Sequence, residues 1–360
     1  MENCAIILAA GEGKRMKSNS PKVLCQVLFK PMLEWVTDAV YGAGIKHACV
    51  VTGHLNHVVE AFLETLTAKK ALPAPLCHVY QAEQKGTGHA VMMAVDFLKQ
   101  HSGSHVLVLN GDAPFLDPQT IRAALAEHTE HQHAVTVISA KPLNPFGYGR
   151  IVRDAETGSL LAIVEEKEAD EATKKICEIN SGAYWFCVDS LLSVLNSIQN
   201  NNSTGEYYLP DAIKLLIQRG EKAGAYLTGD SSVVLGANDR KQLSELNSIA
   251  KERVIHRLMA DGIDIPCLDG ILIGPDVTIG RDTRILPGSI LSGKTSIGEG
   301  CLIGPNALLE NTTAGDRCVL QNVQCDGVTL ADGQSPEPFS ILRAGRAFPS
   351  CALAALWYRY

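Results

Sequence analysis

From Ile273 onward a six-residue period governs the chain: Ile273, Ile279, Ile285, Leu291, Ile297, Ile303 and Leu309 stand at every sixth position, and Gly274, Gly280, Gly298 and Gly304 directly follow four of them. An α-helix repeats every 3.6 residues and a half-buried strand every two, so neither keeps this series on one face. A parallel β-helix does, because each flat face contributes one inward aliphatic residue per hexapeptide. The series continues less regularly at Ala314, Leu320, Cys325 and Leu330. Hairpins that merely shared a spacing would alternate with period two.

The first two-thirds of the chain read differently. Short aliphatic runs at Ala5 to Leu8, Ala48 to Val51, His78 to Tyr80, Val106 to Leu109 and Val135 to Ile138 alternate with helix-length stretches at Met32 to Tyr41, Val58 to Thr67, Gly88 to His101 and Asp117 to His128. This alternation predicts a mainly parallel sheet covered on both faces, with ligands at the carboxyl ends of its strands. Leu243, Leu246, Ala250, Val254 and Leu258 recur at helical spacing and predict a connecting helix. The expected layout is an α/β domain over residues 1–238, a linker helix over 239–262, the β-helix over 263–335 and an irregular or helical tail over 336–360. Within that tail, Ser335 to Gly345 resembles a faint further coil and Phe348 to Tyr360 abandons the period. At 360 residues, more than one core is expected in any case.

Charge and composition exclude several roles. With 32 Lys and Arg against 39 Asp and Glu, the net charge is −7, which offers no global basic surface for nucleic acid. No apolar run approaches a membrane span and no signal segment opens the chain, so a cytoplasmic protein is expected. The cysteines number 11, an odd count without a Cys-x-x-Cys pair, and are read as reduced and mostly buried. His128, His131 and His133 are read as a solvated helix-to-strand connection, since no further ligand stands near them in sequence.

The first strand runs into Leu8-Ala9-Ala10-Gly11-Glu12-Gly13-Lys14-Arg15-Met16, followed by Pro21-Lys22-Val23-Leu24. Glycines after a strand let backbone N–H groups approach phosphate oxygens, and Arg15 and Lys22 supply cations suited to a polyphosphate. Met16 occupies the third glycine position of G-x-G-x-x-G, and no G-x-x-x-x-G-K-[ST] string is present, so neither common dinucleotide or P-loop fingerprint applies. A tight turn with solvated cations is the competing reading. Gln81 to Ala90 reads as a polar loop entering a helix capped by Thr87, Asp112 as a carboxylate at a strand end, and Glu165 to Asp170 as a charged surface loop.

Together with Gln81 to Ala90, Gly111-Asp112-Ala113-Pro114, Gly147-Tyr148-Gly149-Arg150-Ile151, Val164-Glu165-Glu166-Lys167, Ile179-Asn180-Ser181-Gly182, Gly205 to Asp211 and Gly236-Ala237-Asn238-Asp239-Arg240, this loop resembles the sugar-nucleotide pyrophosphorylase superfamily. The match sharpens to the N-acetylglucosamine-1-phosphate uridyltransferase half of the bacterial bifunctional GlmU family, C-terminally shortened. The fold it implies is a Rossmann-like nucleotidyltransferase domain followed by a short left-handed parallel β-helix of hexapeptide repeats.

The resemblance implies Mg²⁺-dependent transfer of UMP from UTP to N-acetylglucosamine 1-phosphate, for cell-wall precursor synthesis. It assigns Arg15, Lys22 and Asp112 to catalysis, and Asp112 and Asn238 to the metal. Leu8, Ala9, Gly11, Gly13 and Lys22 fall to the nucleotide, and Gln81, Gly86 and Thr87 to uracil. Gly149, Glu165 and Asn180 fall to the sugar. Two positions depart from the pattern: Asn110 stands where an aromatic or similar residue is expected on the sugar side, and Cys25 where His is frequent. The resemblance also implies a homotrimer built through the β-helix. The shortened coil leads us to expect no acetyl transfer from acetyl-CoA. The alternatives are another nucleotide and sugar, such as dTTP with glucose 1-phosphate, a hexapeptide-repeat acyltransferase, or a silent binding protein retaining the fold.

Overall fold

The computed structural model describes residues 2–70, 72–200 and 205–344. It divides into two units, one formed by residues 1–25 and 31–243 and the other by 26–30 and 244 onward. The boundary lies inside a helix, and a short hairpin from early in the chain joins the second unit.

In chain order the first unit and that hairpin comprise β1 (Cys4–Ala9), β2 (Gln26–Val27), β3 (Lys30–Pro31), α1 (Met32–Gly42), β4 (His47–Thr52), α2 (Asn56–Lys70), β5 (Cys77–Tyr80), α3 (Thr87–Met93), α4 (Val95–Gln100), β6 (His105–Asn110), α5 (Pro118–Glu130), β7 (Val135–Ala140), β8 (Arg150–Arg153), β9 (Leu160–Val164), β10 (Ile179–Cys187), α6 (Val188–Leu195), α7 (Pro210–Gln218) and β11 (Ala223–Leu227), and α8 (Arg240–Ala260) crosses the boundary into the second unit. The main sheet runs β11-β7-β10-β6-β1-β4-β5, with β8 and β9 attached to β10. Side chains alternate across it. Ile6, Val51 and Val108 pack with Leu98, Leu191 and Leu216 on one face, while Ile7, Val50 and Leu107 pack with Leu33, Leu63 and Ile121 on the other. A strand buried on both sides must be apolar throughout, which is why these runs carry no polar alternation.

The parallel strands β1, β4, β5 and β6 all end toward one edge. β10 was not foreseen in the sequence. It runs antiparallel between β6 and β7, so its start at Asn180 lies at the carboxyl end of β6 and its end at Cys187 lies opposite His105. A nine-residue strand entered through a Ser-Gly bulge lacks the flanking turn signals that mark the others. The single helix expected over Gly88 to His101 is two helices. They share Ala94, whose ψ of 16° leaves the helical region, and Ala90, Val91, Ala94 and Leu98 all pack into the core on the sheet.

In the second unit the six-residue series becomes three parallel ladders. Ile273 pairs with Leu291 and Leu291 with Leu309, Ile279 with Ile297 and Ile297 with Ala314, and Ile285 with Ile303 and Ile303 with Leu320. Three hexapeptides therefore close one coil, and equivalent aliphatic side chains stack along its axis. Thr283 and Thr295 are buried at corners, where Thr283 Oγ1 donates to the Gly298 carbonyl (2.8 Å) and Thr295 Oγ1 to the Ser292 carbonyl (2.7 Å). A strand at Ile341–Arg343 pairs with the rung of Gln324–Asp326, placing Leu342 opposite Cys325. The coil thus extends past residue 335 into the segment expected to be irregular. The expectation for Phe348 to Tyr360 lies outside the described residues.

Two of the three histidines at the helix-to-strand connection, His128 and His133, are not solvated as expected. His128 is fully buried on α5, its ring bonded to His105 (3.0 Å) and to Thr136 Oγ1 (3.0 Å). Burial first, then the neighbouring His105 and His133, pushes its imidazole down to about 3, so it is neutral. His133 is half-buried on the same Thr136 hydroxyl, and only His131 is exposed as expected. The burial arises from α5 packing on β7 and β10, a tertiary fact that local spacing does not carry.

Candidate active site

A cavity of about 280 Å³ opens at the carboxyl ends of β1, β5 and β6, lined by Leu8, Ala10, Gly11, Lys22, Val23, Gln81, Gln84, Gly86, Thr87, Ala90, Asn110, Asp112, Glu206 and Tyr208. A larger cleft of about 430 Å³ lies elsewhere, around Ser197, Asp211, Lys214 and Gln218. It contains neither the glycine loop nor the Lys22 cluster, so the first cavity is the candidate site.

Lys22 sits on a one-turn 3-10 helix after Pro21, pinned by the buried Val23. Its ammonium pairs with Asp112 Oδ2 and donates to Asn238 Oδ1 at 2.8 Å. The side chains of Lys22 and Asp112 are only 13% and 24% exposed, which weakens solvent screening of the pair. Asp112 follows β6, and Gly111 N donates to the Leu8 carbonyl (2.8 Å), holding the β6 exit against the end of β1. Asn238 arrives from a distant segment in which Gly236 closes on the Asp112 carbonyl and Arg240 Nε bonds the Met16 carbonyl (3.2 Å). The oxygens of Asp112 and Asn238 converge on one cation position, now marked by the ammonium. Such a hard-oxygen pair fits a divalent cation.

Gly13 makes the close packing of Lys22 feasible: its φ is +65°, and a Cβ there would fall 2.7 Å from Lys22 Cβ. Gly86, at φ +99°, plays the same part deeper in the cavity, where a Cβ would meet the Tyr207 carbonyl at 2.6 Å. This lets the segment after Gly205 close over the start of α3. Gly88 N donates to the Tyr207 carbonyl (2.7 Å) and Leu209 N to Thr87 Oγ1 (3.1 Å). The expected Thr87 cap is therefore incorrect. Gly86 is the N-cap, without a side-chain bond, and the Thr87 hydroxyl serves the neighbouring segment instead.

Gln81 is buried, its Nε2 donating to the Gly86 carbonyl (3.2 Å) and paired with His89 Nδ1 (2.9 Å). Sequence reasoning had given His89 no role, though its place eight residues after Gln81 in the same motif was available. Glu206 and Tyr208 line the cavity from the segment Gly205 to Asp211, to which the sequence assigns no site role. Tyr148 was also missed: burial, and secondarily the charge of Asp112, raises its phenol.

Gly149, Glu165 and Asn180 gather beside this cavity rather than in its lining. Asn180 N donates to the Gly149 carbonyl (2.8 Å), and a Cβ on Gly149 would lie 3.1 Å from Glu165 Oε1. Burial, with Glu168 and Asp211 adding, raises Glu165, so it is not a freely solvated member of its charge run. Asn110 lines the cavity and places its amide under Gly182, where a Cβ would be 2.4 Å away. The side chain of Ala9 points into the core while Ala10 faces the cavity. Arg15 is exposed and is not part of the lining.

A doubly covered α/β sheet that presents a glycine loop, a lysine and a carboxylate–amide pair at its strand ends, followed by a hexapeptide coil, defines a nucleotide-dependent transferase class. The nucleotidyl transferase family model matches residues 4–232 and the bacterial transferase hexapeptide model residues 276–311. Curated relatives include the bifunctional protein GlmU of Caldanaerobacter subterraneus, 44% identical over 88% of this chain and 66% of the relative. That of Acetivibrio thermocellus is 42% identical over 95% of this chain and 72% of the relative. The chain belongs to the nucleotidyl transferase family and, within it, to the GlmU proteins. It spans just under two-thirds of the Caldanaerobacter relative. A solved UDP-glucose pyrophosphorylase bound to UDP-glucose superposes with a TM-score of 0.57 at 19% identity, covering 70% of this chain and all of that one, and shares the fold.

Proposed function

We propose that this chain transfers UMP from UTP to N-acetylglucosamine 1-phosphate, releasing pyrophosphate and UDP-N-acetylglucosamine, in supply of cell-wall precursors. The observation that carries the reading is the convergence of Lys22, Asp112 and Asn238 beside the glycine loop, in a chain with GlmU relatives along 95% of its length.

A phosphate oxygen of the sugar phosphate forms a bond to the α-phosphorus of UTP in line with the bond to the β-phosphate, which breaks and leaves with pyrophosphate. Backbone N–H groups around Gly11 and Gly13 receive phosphate oxygens, and Arg15 adds charge from the rim. Lys22 offsets negative charge as it moves onto the leaving group. Asp112 and Asn238 would hold a divalent cation, Mg²⁺ in this reading, which supplies charge neutralisation when bound. Gln81, its Nε2 already committed, keeps its amide oxygen for the base, beside the backbone at Gly86 and Thr87. Gly149, Glu165 and Asn180 meet the sugar.

In this reading residues 1–238 carry the reaction, α8 links, and the coil from 263 supports a homotrimer in the cytoplasm. Among the described residues, no helix is long and apolar enough to cross a membrane. In this reading residues 263–344, which contain no histidine to act as an imidazole base, do not themselves carry acetyl transfer to an amine. Following CoA thiol with acetyl-CoA and glucosamine 1-phosphate tests that point, and thiol release would contradict it. The nucleotidyl step is tested with label in the α-phosphate of UTP. Label should enter UDP-N-acetylglucosamine and none should enter pyrophosphate, and the opposite partition would overturn the reading.

A further inference from the structure

At the other end of β6, away from the nucleotide cavity, three ligating atoms of three different elements meet. Cys187, the last residue of β10, is the antiparallel partner of His105, the first residue of β6, and His128 reaches them from α5. His105 Nδ1 and His128 Nε2 are 3.0 Å apart, and Cys187 Sγ is 3.7 Å from the first and 3.8 Å from the second.

These separations can be compared with what a metal would require. A tetrahedral zinc ion with bonds of about 2.0–2.1 Å to nitrogen and about 2.3 Å to sulfur sets its nitrogens roughly 3.3 Å apart and each nitrogen roughly 3.6 Å from the sulfur. The triangle present is within a few tenths of an ångström of that figure. The protonation pattern suits it too. His128 Nδ1 faces Thr136 Oγ1 at 3.0 Å, and a proton donated there leaves Nε2 with its lone pair toward the other two groups. The Cys187 thiol donates to the His133 carbonyl (3.2 Å), which helps hold the sulfur beside the two rings. His128 is fully buried, whereas His105 and Cys187 are half-buried, so an ion has a solvent-side approach and a fourth position open to water.

We propose that His105, His128 and Cys187 form a binding site for a zinc-class transition-metal ion, which would brace β6, β10 and α5 at the sheet edge opposite the nucleotide cavity. The donor set selects the ion. Two imidazoles and a thiolate favour zinc, cobalt or copper(I) over magnesium, whose hard-oxygen preference is met instead by Asp112 and Asn238. On binding, the Cys187 S–H proton is released to water and the thiolate bonds the metal, with no change in oxidation state.

The test uses the full chain stripped with chelator and held in excess Mg²⁺, titrated with Co²⁺ as the optical probe. One equivalent should produce a thiolate-to-cobalt charge-transfer band with the intense visible bands of four-coordinate cobalt, bleached by Zn²⁺, and Zn²⁺ should raise Tm. Cys187→Ser should abolish the charge-transfer band. Thr136→Val, which keeps the core volume but removes the partner that orients His128, should weaken Co²⁺ binding by roughly 10- to 100-fold. Circular dichroism checks each fold. If Cys187→Ser fails to fold, His105→Gln at a half-exposed ring carries the same expectation of lost binding. Absence of a thiolate band in the parent protein, or a band unchanged in the Cys187 variant, would overturn the site.

Discussion

Gly13→Ala should damage catalysis well beyond its cost in stability. The added Cβ would stand 2.7 Å from Lys22 Cβ, about 0.7 Å inside the 3.4 Å at which ordinary contact begins, and Lys22 Cδ and Cγ lie just beyond at 3.3 and 3.4 Å. Gly13 also holds φ +65°, ψ 34°, a left-handed conformation that costs an L-residue about 1–2 kcal/mol. Lys22 cannot retreat freely, because its ammonium is fixed by Asp112 and Asn238. A displacement approaching 1 Å at a group that must meet the leaving phosphate costs on the order of 10²-fold. We therefore expect kcat/KM to fall by roughly 30- to 100-fold, about 2–3 kcal/mol of transition-state stabilisation, and stability by about 1–2 kcal/mol. The assay is pyrophosphate release under initial-rate conditions beside urea unfolding of the same preparation. Gly11→Ala is the stability control, since nothing lies within 4 Å of its Cβ position and its φ is unremarkable. Its unfolding free energy should stay within about 0.5 kcal/mol of the parent. Near-parental turnover in Gly13→Ala would refute the claim that this glycine sets the position of Lys22.

Asp112→Asn and Asn238→Ala should each lower turnover by roughly 10²-fold or more while leaving Tm within a few degrees, because they remove oxygen ligands from a polar cleft rather than apolar packing; Mg²⁺-dependence of the rate checks both. Glu165 has a raised pKa in the fold, so the native state holds its proton more tightly than the unfolded chain, and stability drains away as pH rises through that value. Glu165→Gln should therefore raise Tm at neutral pH, and the gain should vanish below the ordinary value of 4.5; a pH series of thermal melts decides. Leu291 is fully buried between Ile273 and Leu309, and Leu291→Ala should cost about 2–5 kcal/mol. Leu308→Ala on the adjoining rung, where Leu308 pairs with Ile290 and is 41% exposed, should be close to neutral by denaturant unfolding.

The coil was legible because its physics is one-dimensional: an inward side chain recurs at a fixed interval, and Ile285, Ile303 and Leu320 stack as their spacing requires. The β1, β4 and β6 runs were legible because burial on both faces forces unbroken apolar residues. The cavity was only half legible. Lys22, Asp112 and Gln81 announce themselves by residue type after a strand, but the exposed position of Arg15 outside the lining, the His89–Gln81 bond and the approach of Tyr148 depend on folding of separate segments. β10 was hidden because its antiparallel insertion brings Asn180 and Cys187 to opposite edges of the sheet, a relation no local pattern encodes. For the same reason His128 looked like a loop residue when its partners lie at 105, 136 and 187.

The central claim is tested most directly by measuring pyrophosphate release with UTP, dTTP, ATP, CTP and GTP, each crossed against N-acetylglucosamine 1-phosphate, glucose 1-phosphate and glucosamine 1-phosphate, in Mg²⁺. The account predicts rapid turnover for UTP with N-acetylglucosamine 1-phosphate and rates at least about tenfold lower for every other pair, the discrimination expected when buried polar groups at Gln81 and Asn180 lose their partners. No release with any pair, or faster release with dTTP and glucose 1-phosphate, would contradict it.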